Sequence, residues 1–189
     1  MKKVSIIMTA LMLSAASYAQ QWSVDKAHSK LGFTVTHLMI NDVDGMFKNF
    51  DATVTSSKPD FSDAQFSLTA QVNSVFTDND KRDEHLKSAD FFDAANIPTL
   101  SFVSKSVKKD GDKKLKVTGD LTIHGVTKTV TFDVTYKGPV TNPMSKKQEV
   151  AFKLATKIKR ADFKIGASIP EAIVSDEVTI NANGEFSQG

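Results

Sequence analysis

Residues 114–138, KLKVTGDLTIHGVTKTVTFDVTYKG, place apolar side chains on every second position: Leu115, Val117, Leu121 and Ile123, then Val130, Phe132, Val134 and Tyr136. Period two is the pattern of strands with one wet face and one dry face. The break at His124-Gly125-Val126-Thr127 is short and holds a glycine, which predicts a hairpin of two long strands, 114–123 and 127–137. Similar alternation marks strands at 22–25, 30–37, 43–55, 64–73, 99–108, 148–159 and 176–186. Long half-buried strands with almost no helix to cover them must roll up or stack. The fold class this implies is all-β, a single antiparallel barrel. A rolled sheet of about eight strands has room for one small ligand inside.

The first nineteen residues stand apart from this pattern. Lys2 and Lys3, the short apolar run 4–16 and Ser17-Tyr18-Ala19 read as a cleaved signal peptide over 1–19. The apolar run is shorter than the roughly 20 residues that a membrane span needs. Export of this kind predicts a periplasmic protein whose single domain is 20–189. With Lys2 and Lys3 removed, basic and acidic side chains balance. Nothing in that balance favours a nucleic-acid partner. The chain has no cysteine, so its core must hold without disulfides.

Residues 78–90, DNDKRDEHLKSAD, break the alternation and are rich in charge. Asp80 is the expected N-cap of one short helix, with Asp83 and Glu84 in its first turn. Phe91-Phe92 and Ile97-Pro98 follow, so the helix reads as a lid over one end of the barrel or as a plug packed into it. Turns are expected at Ser56–Asp60 and Lys109–Asp112, and the run from Gly138-Pro139 to Asn142-Pro143 is expected to end a strand. In the strand 43–55 the apolar parity switches between Phe47 and Phe50, which predicts a bulge.

Alternation alone does not say which face is dry. A soluble barrel is apolar inside, whereas an outer-membrane barrel is apolar outside. The chain after residue 19 has one Trp and one Tyr, too few for the aromatic girdles of a membrane barrel, and it ends in Gln188-Gly189. Its thirteen Phe residues have no polar atom and suit a dry interior.

Several blocks then match a known pattern. Trp22-Ser23-Val24-Asp25 with His28-Ser29, FTVTHLMI with Gly45-Met46-Phe47, RDEHLKSADFFDAANIPTLSF (82–102), GDLTIHGVTKTVTFDV (119–134) and Arg160–Gly166 come in one order along the chain. Together they resemble the YceI-like, polyisoprenoid-binding family. Ile97 stands where many relatives carry Tyr. The resemblance implies a lipocalin-like, eight-stranded antiparallel barrel with one short helix at one end. It also implies an elongated channel for an isoprenoid or similar long-chain amphiphile, and a carrier rather than an enzyme. The cavity wall expected from parity and resemblance together comprises Phe33, Val35, His37, Phe47, Phe66, Leu68, Leu86, Phe91, Phe92, Phe102, Leu121, Phe132, Phe152 and Ile165.

Among polar residues, His37, Arg82 and His85 are the candidates for a ligand head group. His37 shares the inward parity but also suits a strand cap at the rim. Arg82 and His85 share a helix face, and equally suit pairing with carboxylates that fix the helix. Arg160 and Asp162 are expected to form a structural ion pair; Asp25 and His28 serve a turn, and His124 lies in the hairpin. Catalysis has little support. There is no thiol and no Gly-x-Ser-x-Gly, and the four histidines lack metal-ligand spacing, so no catalytic or metal residue is assigned. The alternatives are a hydrolase at the barrel mouth and an outer-membrane or structural barrel. No cofactor is expected beyond a bound isoprenoid lipid or quinone-like ligand. The partner is a hydrophobic small molecule, with transient membrane contact and a homodimer through exposed edge strands as further arrangements.

Overall fold

The computed structural model describes residues 19–189, so the segment read as a signal peptide lies outside the described residues except for Ala19. The chain forms strands β1 (Gln20–His37), β2 (Asn41–Phe47), β3 (Phe50–Ser56), β4 (Gln65–Gln71) and β5 (Val75–Phe76). Helix α1 (Asp80–Lys87) follows, then β6 (Thr99–Lys109), β7 (Lys114–Ile123), β8 (Val126–Thr141), β9 (Gln148–Lys159) and β10 (Val174–Gln188). Every strand pairing is antiparallel. The order β10-β9-β8-β7-β6-β4-β3-β1 closes on itself through β1–β10, giving an eight-stranded barrel, with β2 and β5 continuing the β3 side.

The β7–β8 hairpin has the two-residue turn His124-Gly125, because Ile123 pairs directly with Val126. Both turn residues have positive φ, 50° and 71°, the geometry that matches the twist of the flanking strands and that Gly125 adopts without penalty. The outer face of this hairpin carries a ladder of polar cross-strand pairs. Lys116 bonds Asp133 at 2.6 Å, Thr118 bonds Thr131 at 2.8 Å, Thr129 bonds Asp120 at 2.9 Å and Thr122 bonds Thr127 at 2.8 Å. Its inner face carries Leu115, Val117, Leu121, Ile123, Phe132 and Val134, all buried. The dry face is therefore the inner one, the reverse of a membrane barrel.

Some sequence expectations change. The strands read at 22–25 and 30–37 are one continuous β1, which skips register between Asp25 and Lys30. The strand read at 43–55 is instead divided: β2 pairs with the upper half of β1 and β3 with the lower half, with Lys48-Asn49 between them. The parity switch between Phe47 and Phe50 is thus a break that faces the irregularity in β1. β8 extends past the expected end at 137, through Gly138-Pro139 with a register shift between Lys137 and Val140, and ends at Thr141 just before Asn142-Pro143, inside the run expected to end it. The helix N-cap is Asn79, whose side chain accepts from Arg82 N, rather than Asp80. Asn79 has the extended backbone of a cap (φ −154°, ψ 107°), and Asp80 is already helical. The β1–β10 pairing closes the barrel, and the outer edge of β2 meets β5 only at Met46 and Phe47.

Candidate functional site

One end of the barrel is filled by aromatic rings packed edge to face. Phe61 leaves the β3–β4 loop and enters the core, where it is 1% exposed. Its ring lies edge-on to Trp22 at 5.7 Å, Tyr136 at 5.2 Å and Phe152 at 5.1 Å. Phe152 in turn meets Phe66 at 5.3 Å and Phe186 at 5.5 Å. The edge-to-face geometry sets ring edges against ring faces, the arrangement aromatic quadrupoles prefer. Asp63 locks the loop that delivers Phe61. Its carboxylate accepts from Ser56 Oγ at 2.6 Å, from Ser57 Oγ, and from the Ser57 and Lys58 amides. The Ser56 hydroxyl first, and then that of Ser57, hold the Asp63 carboxyl well below the usual range. Asp60 is lowered to about 2 by Ser62 and Lys109.

The other end is covered by α1, Phe91, Phe92 and the 160–173 segment. Phe92 packs edge-on against Phe47 at 5.7 Å, and Phe91 against His85 at 4.9 Å. His124 Nδ1 lies 3.3 Å from the carbonyl of Phe163, joining the β7–β8 turn to the same cap. Between the two ends lies a cavity of about 380 Å³. Every side chain expected in its wall, from Phe33 to Ile165, borders it. Phe33 can lie flat there because Gly45 faces it across β1 and β2. A methyl group on Gly45 would come within 2.2 Å of the Phe33 ring tip.

Polar groups collect at the helix end. Thr77, buried, donates to Asp83 Oδ1 from its amide at 2.9 Å and from its hydroxyl at 2.6 Å. Arg82 clasps the same threonine, Nε to Oγ1 at 2.7 Å and Nη2 to the carbonyl at 2.6 Å. Its Nη1 donates to nothing among the described residues. Arg82 is therefore held by a hydroxyl and a carbonyl, and the carboxylate pairing expected for it is absent among the described residues. His85 is the member with a carboxylate nearby, Nε2 lying 3.4 Å from Asp90. His37, Thr77, Arg82, His85 and Arg160 all border the cavity at this end. His37, at the tip of β1, is exposed.

Arg160 corrects a second expectation, because it forms no ion pair with Asp162. Only 7% exposed, it spends all five N–H groups on backbone carbonyls. Nε donates to Ser175 at 3.2 Å, Nη1 to Ile165 at 3.1 Å and Gly166 at 2.6 Å, and Nη2 to Ile169 at 2.6 Å and Val174 at 3.1 Å. It has no donor left for a ligand. Its work is to pin the 160–175 segment, which presents Ile165, Ile169 and Ile173 to the cavity. Sequence reasoning missed Ile169, Ile173 and Thr77 as wall residues. Isoleucines at 165, 169 and 173, evenly spaced in a segment without strand alternation, were the available signal.

Away from the cavity, Asp25, His28 and Glu185 bring ligand-type atoms within 4.8 Å of one another. A 2.8 Å bond from His28 Nδ1 to Asp25 accounts for the grouping, and it raises the His28 pKa while lowering that of Asp25. The pair spans the irregular stretch inside strand β1 rather than the turn expected for it, because the chain stays extended through the register shift.

A family model described as a YceI-like domain matches residues 22–186. The Escherichia coli protein YceI is 37% identical over 189 residues, spanning 97% of this chain and 98% of its own. The crystal structure of Burkholderia cenocepacia BcnA superposes with a TM-score of 0.78 at 30% identity, covering 86% of this chain and 98% of that one. A polyisoprenoid binding domain from Saccharophagus degradans shares the fold, with a TM-score of 0.69 at 16% identity over 89% of this chain and 98% of that one.

Proposed function

This chain belongs to the YceI-like family, and from that premise we propose that it is a periplasmic carrier that holds an isoprenoid or similar long-chain amphiphile in its barrel. The observation that carries the reading is the cavity of about 380 Å³, deep and apolar, with Arg82 and His85 at one end. The Saccharophagus degradans neighbour is described as polyisoprenoid binding, which agrees with this ligand class. The periplasmic address rests on Lys2, Lys3 and the apolar run that follows them.

Energetics favour an occupied barrel. A dry void costs on the order of 24 cal/mol per Å³. The apolar length of this cavity, about 380 Å³ with its polar groups at one end, bears such a cost over its closed part when empty. Each isoprene unit buried from water contributes roughly 3–4 kcal/mol, at about 0.8 per carbon. Taken from a membrane instead, the same unit gains little, so exchange with membranes is close to balanced and reversible. Selectivity then rests on channel length and on polar groups at the mouth, where Arg82 keeps donors free for an anionic or carbonyl head.

The test is organic extraction of natively purified protein, with mass spectrometry of the extract and thermal melting before and after stripping. A stoichiometric long-chain lipid and a lower Tm for the stripped protein are expected. Absence of any such lipid, with unchanged melting and no binding of added prenol or quinone, would overturn the reading.

A further inference from the structure

The turn between β1 and β2 is made of residues that turns avoid. Leu38, Met39 and Ile40 occupy it, and Leu38 and Met39 both take the left-handed backbone, at φ 50° and 59°. Glycine and asparagine are favoured in that conformation, and polar residues at a turn tip. Here the three side chains are 49%, 76% and 84% exposed. Two penalties coincide in one place, and among the described residues no contact relieves the exposure. Ile173, 43% exposed, extends the same patch, and Leu38 N donates to its carbonyl at 2.9 Å. Ile173 and His37 also border the cavity. An apolar knob is thus continuous with the cavity's polar end.

We infer that this tip inserts into the surface of a lipid bilayer and holds the cavity mouth against it, so that cargo moves between membrane and barrel without crossing water. The inference rests on the carrier reading of the cavity. A bilayer suits the knob better than a protein surface does. Three side chains of one turn with Ile173 beside them fall well short of the roughly 800 Å² per partner that a stable protein interface buries. An apolar wedge needs no complementary partner to enter the acyl boundary of a membrane. Charge supplies no pull. Asp42, two residues beyond the tip, is acidic and accepts from Thr36 Oγ1 at 2.8 Å, and Glu171 precedes Ile173 by two residues. Attachment by apolar insertion is therefore expected to ignore both anionic lipid and salt.

Flotation tests this with protein purified after expression of the full chain. The vesicles are of phosphatidylcholine alone, or of phosphatidylcholine mixed equally with phosphatidylglycerol. The parent should float with both, at low and high salt. The Met39→Ser/Ile40→Ser variant should lose about tenfold in partitioning. It should also take up a fluorescent prenol more slowly from vesicles, yet bind the same prenol at parental affinity when cyclodextrin delivers it. Neither residue borders the cavity, and Ile40→Ser alone, with an unchanged melt, gives a graded check. Equal flotation of parent and variant would overturn the inference. So would parental flotation that high salt abolishes, or a variant whose chief change is from dimer to monomer. Failure of the parent to bind prenol from cyclodextrin marks failure of the carrier reading itself, separately from the flotation result.

Discussion

Arg160→Met is the substitution whose effect the structure sizes best. The methionine retains most of the aliphatic stem but removes five charged donors from a site only 7% exposed. A hydrogen bond to a charged group contributes roughly 1.5–3 kcal/mol. The five are not additive. Gly166 O keeps the Ile169 amide at 2.9 Å, and losing the charge also removes its desolvation penalty. A net loss of about 3–5 kcal/mol follows, the scale of two or three buried carbonyls left without a donor at roughly 1–3 kcal/mol each. At about 2–4 °C per kcal/mol for a chain of this size, Tm falls by roughly 6–20 °C. Trp22 is the only tryptophan, and it sits in the aromatic seal at the far end. Its fluorescence therefore reports global unfolding, while amide exchange at Ile165 and Ile169 reports release of the 160–173 segment. That segment should exchange faster well below Tm, and bound lipid should leave faster with it. Arg160→Lys should recover only part of the loss, since an ammonium offers three donors from one point and cannot span five carbonyls. A melt of Arg160→Met within a degree or so of the parent, or full rescue by lysine, would refute the reasoning.

Two further substitutions probe the seal and the wall. Both carboxyls of the β3–β4 loop sit below the ordinary value of 3.8 in the folded protein, Asp60 at about 2 and Asp63 lower. Their contribution is complete above about pH 4 and is lost as pH falls toward and through their folded values. Asp63→Asn should therefore melt lower than the parent at neutral pH, with the gap narrowing from pH 4 to pH 2; a gap independent of pH would refute the loop's role. Gly45→Ala forces the Phe33 ring to move, at a cost of about 1–3 kcal/mol for overpacking. It should lower Tm by several degrees and reduce the amount or chain length of lipid retained, measured by extraction; unchanged melting and cargo would show that the ring moves freely.

Where strand alternation was uninterrupted, local pattern and tertiary structure agreed, and parity alone put Phe66, Leu68, Phe102, Leu121, Phe132 and Phe152 on the inner face. The departures have a common cause, pairing between distant segments. Lys48-Asn49 divides a strand because β1 loses register opposite it, which no window on 43–55 contains. Gly138-Pro139 looks like a terminator but is carried inside β8 by its neighbour β9. Arg160 next to Asp162 suggested a local ion pair. Its true partners are carbonyls as far away as Ser175, and backbone acceptors leave no trace in side-chain sequence. Phe61, set among turn residues, was an apolar side chain in a polar loop, and it proves to be the centre of the seal.

That seal has a consequence for traffic. Trp22, Phe61, Tyr136, Phe152 and Phe186 stopper one end of the tube, so on the carrier reading proposed above a long molecule is expected to back in tail first from the helix end and to leave the way it came. Such a protein would work as a ferry rather than as a pipe, with the passenger's head group beside Arg82 and His85.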